Sequence, residues 1–200
     1  MNVATKPRRA PQMEPDDRRR QLLEVAIHVF AEMGIDRATH GHVAKAAGVA
    51  RPTVFAYFPT REELVTGVLT AVHRYMIDEL VAPFGTGETY EERMAASGKS
   101  FIDATDSHGD HIKIWLMWSA NFSEPVRSQY LEFEEEMIDR LARHLIGDAA
   151  GAPDAALKER TLIFIGAVAV LAQMAVRGEP RIRLEQYVRN VIQTLKSWVS

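Results

Sequence analysis

The chain holds seven histidines and no cysteine, so imidazoles are the first place to look for reactive chemistry. His108 and His111 lie three apart beside Gly109. Two imidazoles do not make a zinc site, and no third ligand is placed to join them. His40 and His42 flank a short helical stretch, where they read as phosphate contacts, solvated groups or caps. There is no Walker glycine loop, no G-x-S-x-G and no H-E-x-x-H. With no nucleophile–base pair and no metal set, the sequence predicts no enzyme, no cofactor and no metal. The lack of thiols removes disulfides and fits a reducing cytoplasm.

A second chemistry, hydrogen-bond donation to a polyanion, has better candidates. Residues 1–60 hold nine Lys/Arg against six Asp/Glu, while the remainder holds fifteen against twenty-one. A basic end on an acidic body suggests a polyanion at that end. Arg51, Thr53, Ala56 and Tyr57 fall on the outward side of a short helix beginning near Pro52. Arg51 suits a guanine edge or a phosphate, Thr53 a thymine methyl or a phosphate, and Ala56 only an apolar contact. Thr39, Tyr57 and Arg61 suit phosphates, which fix register without carrying sequence information.

These residues need a scaffold. Two short helices, about 40–47 and 51–58, meet the needs of a helix-turn-helix. Ala44 supplies the small crossing residue, and Gly48 the turn position where φ is positive. Val43, Ala47, Val49, Val54 and Phe58 supply the apolar contacts, and Pro52 fits a first helical turn. The rest of the chain also reads as helix, with no sustained period-two alternation. A basic arm, expected to be flexible, covers residues 1–15. A helix opening at Asp16 or Asp17 carries Leu23, Ala26, Ile27 and Phe30 on one face and stops before Gly34. Thr60-Arg61-Glu62-Glu63 fits a capping box opening a helix with Val65, Val68, Leu69, Val72 and Met76 inward, ending near Pro83-Phe84-Gly85. Further helices are predicted at about 89–105, 111–121, 124–146, 154–177 and 181–198. Asp110, Ser123 and Pro153 mark starts, and Gly147 and Gly178 mark stops.

The stretch Thr39 to Leu64, THGHVAKAAGVARPTVFAYFPTREEL, resembles the DNA-binding region of TetR-family regulators. Ala47-Gly48-Val49, Thr53-Val54-Phe55 and Tyr57-Phe58-Pro59 before a charged helix start carry the likeness. Within the family it resembles the LuxR/HapR-type quorum-sensing master regulators. That likeness rests on Arg18-Arg19-Arg20 after the arm, the run Thr53 to Glu62, and Lys113-Ile114-Trp115-Leu116-Met117-Trp118-Ser119-Ala120. The resemblance implies an all-α fold of about nine helices. It pairs an N-terminal three-helix helix-turn-helix DNA-binding domain, 16–62, with a C-terminal helical ligand-binding and dimerisation domain, 63–200. It implies double-stranded operator DNA as partner and a homodimer through the last two helices. It places Thr39, Arg51, Thr53, Phe55, Tyr57 and Arg61 facing DNA, with Lys6, Arg8 and Arg9 in a minor-groove arm. Ala50, Pro52 and Ala56 depart from the usual residues on that surface and bear on which operator is read.

Trp115 and Trp118 share a helix face and read first as core. The resemblance places Trp115 on a pocket-lining position, with Met76, Val168 and Glu134, and Trp118 beside it, as the site of an unknown small-molecule effector. The acidic run Glu132 to Asp139 reads otherwise as a solvated face. Leu162 to Ala172 is apolar all round, and the last helix carries a stripe from Leu184 to Trp198. Both need covering, as a dimer seam would provide. The apolar run is shorter than the ~20 residues of a membrane span, and the N-terminus has no apolar leader, so no membrane partner is expected.

Overall fold

A computed structural model describes residues 14–81, 89–146 and 154–196. The arm residues Lys6, Arg8 and Arg9 lie outside them, as do Pro83-Phe84-Gly85, Gly147, Pro153 and Trp198. The described residues form nine α-helices and no strand. These are α1 (Pro15–Met33), α2 (His40–Ala47), α3 (Arg51–Tyr57), α4 (Arg61–Arg74), α5 (Tyr90–Ser107), α6 (Gly109–Ser119), α7 (Val126–Ile146), α8 (Ala155–Val176) and α9 (Arg181–Lys196). Beyond α4 the backbone widens into a π-helical segment, Tyr75–Val81.

Apolar spacing explains each helix, and the caps explain most of the ends. In α1, Leu22, Ala26 and Phe30 repeat every four residues and are fully buried, while Leu23 is only half-buried. The helix stops at Gly34, whose φ of 88° few other residues adopt cheaply. Asp16 and Asp17 sit in the first turn, where they favour the helix dipole, but neither caps the helix. Thr60 caps α4 by accepting from the Glu63 N–H at 3.1 Å. The expected reciprocal bond is missing there, because the Glu63 carboxylate instead accepts from the Thr60 hydroxyl. The complete capping box is at Thr89 and Glu92, opening α5.

The buried residues form one apolar core running from Leu22 to Leu195. Helix α6 lies at its centre, packing on α1, α4, α5, α7 and α8. It buries Ile112, Ile114, Trp115 and Trp118. The N-terminal helices are therefore not separated from the body by an apolar gap. The expected division at 62/63 falls inside the first turn of α4. A hydrogen bond and an ion pair reinforce the α1–α6 contact: His28–Asp110 at 2.9 Å and Lys113–Glu32 at 2.7 Å.

Helices α5 and α9 approach closely at Gly98. A β-carbon there would lie 2.4 Å from a Val188 methyl, well inside contact distance. Helix α8 is long and apolar enough, by length and composition, to cross a bilayer. In this fold it packs on α5, α6, α7 and α9 instead. Its remaining side is an exposed stripe of Leu162, Ile163, Val170 and Val176.

Candidate nucleic-acid interface

The turn between α2 and α3 is built as the residue types demand. Gly48 takes φ 65°, the left-handed region, where a β-carbon costs about 1–2 kcal/mol. The Val49 N–H returns to the Ala44 carbonyl at 3.0 Å, closing the end of α2. Ala44 and Val43 are buried at the crossing, opposite buried Val54 and Phe58. Thr39 caps α2, accepting from the His42 N–H, with its hydroxyl also 3.1 Å from the His42 ring. His42 is thus part of the cap.

Helix α3 has Arg51 and Pro52 in its first turn and no side-chain cap, since Ala50 has nothing to offer. Val54 faces inward and is fully buried. Arg51, Pro52 and Ala56 are exposed, and Thr53, Phe55 and Tyr57 are half-buried. The structure thus brings six of the expected contact residues onto one short surface. Thr39 stands nearby at the start of α2. The guanidinium of Arg51 lies over the Phe55 ring, 5.2 Å from its centre.

Two residues are placed otherwise than as simple surface contacts. Arg61 donates from Nη2 to the carbonyls of Ile35 and Asp36, at 2.7 and 2.8 Å, tying the start of α4 to the turn after α1. His40 is neither solvated nor open to phosphate, being only 4% exposed. Its Nε2 donates to the Phe58 carbonyl at 2.7 Å, and its ring stacks on Phe55. Sequence reasoning also missed Arg19, whose guanidinium covers the Phe58 ring at 4.9 Å. The only signal was its place in the Arg18–Arg20 run, which does not say which of the three lies over Phe58.

The expected pocket residues divide. Met76, Trp115 and Val168 line one apolar cavity of about 20 Å³, with Phe101, Met137 and Phe164. The indole N–H of Trp115 is buried there with no hydrogen-bond partner among the described residues. Trp118 lies outside the cavity. Its Nε1 donates to the Val126 carbonyl at 3.0 Å, and its ring stacks on Phe133. Glu134 also lies outside, accepting from the Tyr130 hydroxyl at 3.2 Å. Burial, then the Glu134 charge, pushes the Tyr130 phenol up from its ordinary value. His108 stacks on Tyr75 with ring centres 4.5 Å apart, and His111 packs against the same ring at a tilt, 4.6 Å away. No group of three metal-ligating side chains converges among the described residues.

With this geometry in place, residues 22–68 match the family described as bacterial regulatory proteins, tetR family. The HTH-type transcriptional regulator LuxR of Vibrio harveyi is 35% identical over 125 residues, covering 62% of this chain and 60% of LuxR. The HTH-type transcriptional regulator BetI of Cronobacter sakazakii is 29% identical, covering 54% of this chain and 55% of BetI. The chain thus spans between 55% and 60% of the length of these two relatives. A TetR-like regulator from Rhodococcus sp. RHA1 superposes with a TM-score of 0.72 at 17% identity, covering 92% of this chain and 96% of that one. FadR of Bacillus subtilis, solved with stearoyl-CoA, superposes with a TM-score of 0.70 at 18% identity, covering 88% and 96%. Residues 22–68 are therefore a tetR-family regulatory domain, and the chain carries it on the fold of TetR-like transcriptional regulators.

Proposed function

We propose that this protein is a transcriptional regulator that binds operator DNA sequence-specifically as a homodimer. The observation that carries the reading is the exposed face of α3, set at a fixed angle to α2 by Gly48 and presenting Arg51, Thr53, Phe55 and Tyr57. In this motif the second helix enters the major groove. Pro52 and Ala56 then offer only apolar contacts, while Thr39 and Arg61 serve the backbone, Arg61 with the donors not engaged by the α1–α2 turn. Lys6, Arg8 and Arg9 supply a basic arm. The body acts as a binding module, not an enzyme, and works in the cytoplasm where the DNA is.

The dimer uses α8 and α9. Ile163 on α8 and Ile182 on α9 are 51% and 65% exposed, and Leu162, Val170 and Val176 on α8 are exposed as well. An exposed apolar stripe along α8 suits an association site. Gly166 sits within it and meets nothing within 4 Å where its β-carbon would be, so packing within the chain does not require glycine. The missing side chain leaves room for a second helix to cross close to the α8 backbone there. A two-fold dimer also matches paired half-sites on DNA.

The cavity at Met76, Trp115 and Val168 is the effector site of this reading. At about 20 Å³ it holds roughly one water, so an effector enters only as side chains move apart. The FadR relative solved with stearoyl-CoA supports a small-molecule site in such a helical body. The similarity to LuxR favours a LuxR-like regulator, to which the sequence resemblance attaches quorum sensing. The other reading is a TetR-type repressor of an efflux or catabolic operon, and the similarity to BetI and to AcrR of Shigella flexneri, both HTH-type transcriptional regulators, fits either one.

The test is selection of bound genomic fragments, then anisotropy titration of the recovered duplex. Affinity should drop on the order of a hundredfold or more between about 50 and 200 mM salt. Ile163→Glu/Val170→Glu should leave a monomer in sedimentation and weaken binding to paired half-sites. No salt-sensitive binding to any fragment would overturn the reading.

A further inference from the structure

We infer that His40 is a positioning residue for base reading: it holds Phe55 as a platform that fixes the guanidinium of Arg51. This rests on the reading that α3 faces DNA. Phe55 is shared by two contacts here. The Arg51 guanidinium lies over one face of Phe55, 5.2 Å from the ring centre. The His40 imidazole stacks with the Phe55 ring at 4.1 Å, within 5° of parallel. His40 is itself locked, being 4% exposed and donating from Nε2 to the Phe58 carbonyl at 2.7 Å. A carbonyl only accepts, so the Nε2 proton is fixed by this contact. The imidazole thus joins the first residue of α2 to the C-cap of α3.

The arrangement answers a specific difficulty. Helix α3 has seven residues, too few to hold its own shape by backbone bonds alone. Arg51 is exposed on its first turn and has four rotatable side-chain bonds to order before it can fork onto a guanine edge. A guanidinium stacked on a ring keeps its edge N–H groups free while its plane is held. The ring must itself be held, and on the inner side that is done by His40. The buried imidazole therefore acts on DNA only through Phe55 and Arg51, and its loss should appear in discrimination more than in affinity for DNA in general.

The test uses the full chain and two duplexes, one recovered by genomic selection and one scrambled to the same composition. Gln places a donor near the position of imidazole Nε2 but offers no ring, so His40→Gln keeps the bond to Phe58 and removes the layer under Phe55. The ratio of the two affinities should fall about tenfold, the size of one base-reading contact. In an Arg51→Ala background the same substitution should lower the ratio no further. Equal weakening on both duplexes, or a loss that adds to that of Arg51→Ala, would overturn the proposal and leave His40 as ordinary packing. Should His40→Gln not fold, Phe55→Leu removes the platform from the half-buried side and must show the same loss and the same non-additivity. A wild-type protein that does not discriminate between the duplexes overturns the DNA reading itself, while a discriminating wild type with an unaffected His40→Gln overturns only this inference.

Discussion

Trp115 and Trp118 sit on the same helix three residues apart, yet their indole N–H groups have opposite circumstances. Trp118 donates to the Val126 carbonyl, whereas Trp115 has no partner among the described residues. Both rings are almost wholly buried, so spacing and composition read them alike. The difference comes from what lies opposite: the start of α7 for Trp118, and apolar side chains for Trp115. Replacing each by Phe removes a similar volume, so the difference between the variants reports the N–H. Trp118→Phe should be the more destabilising by about 1 kcal/mol, because it removes a buried hydrogen bond to the first carbonyl of α7. For Trp115→Phe the loss of ring volume is offset by removal of an unpaired donor. Chemical unfolding of the two variants measures this directly, and equal losses would contradict it. His40 was misread from sequence for a related reason. A histidine at a helix start normally faces solvent or phosphate, and nothing local says that Phe55, fifteen residues on, will close over it.

At the scale of elements, the sequence carried the helices well because their cores repeat at three and four residues. The Ala44–Gly48–Val54–Phe58 framework was legible because a left-handed turn and a small crossing residue allow few residue types. The π-helical segment was not legible. Tyr75–Val81 has the composition of ordinary helix, and nothing in its spacing marks the widening, in which Met76, Ile77, Leu80 and Val81 are buried. The capping box was assigned to Thr60, although Thr89-x-x-Glu92 fits the same pattern. Both threonines satisfy the spacing, and only the carboxylate's orientation separates them. The α5–α9 contact gives the second prediction. Gly98→Ala places a methyl against Val188 and should destabilise by about 1–3 kcal/mol, the usual range for overpacking. Adding Val188→Ala should recover part of that loss. A Gly98→Ala protein as stable as wild type in thermal unfolding would show that the two helices can part without cost.

For the whole molecule, acid should be destabilising in two stages. Burial, then the neighbouring His108, holds the His111 imidazole below its ordinary value of 6.5. Its neutral form is favoured by folding, so its contribution is complete above about 6.5 and lost as pH falls through the lower folded value. Hydrogen bonding to Lys113 holds Glu32 below the usual carboxylate range, and Lys99, then Arg181, does the same for Asp103. Those contributions persist to lower pH and are weak, since both groups are exposed and screened. The melting temperature should therefore begin to fall below about pH 6.5, and His111→Gln should flatten that upper limb alone. An unchanged pH profile in the variant would remove His111 from the account.

The packing of α6 against α1 bears on how far this chain can be taken apart. The matched domain, residues 22–68, looks portable on paper, a reading head to be grafted onto another body. Yet α1 packs on α6, and the pairs His28–Asp110 and Glu32–Lys113 cross that boundary. Severing the chain within α4 would open Val65, Val68 and Leu69 to water on one side and α6 on the other. A chimera must therefore bring a host helix shaped to receive α1, or carry α6 along with the head.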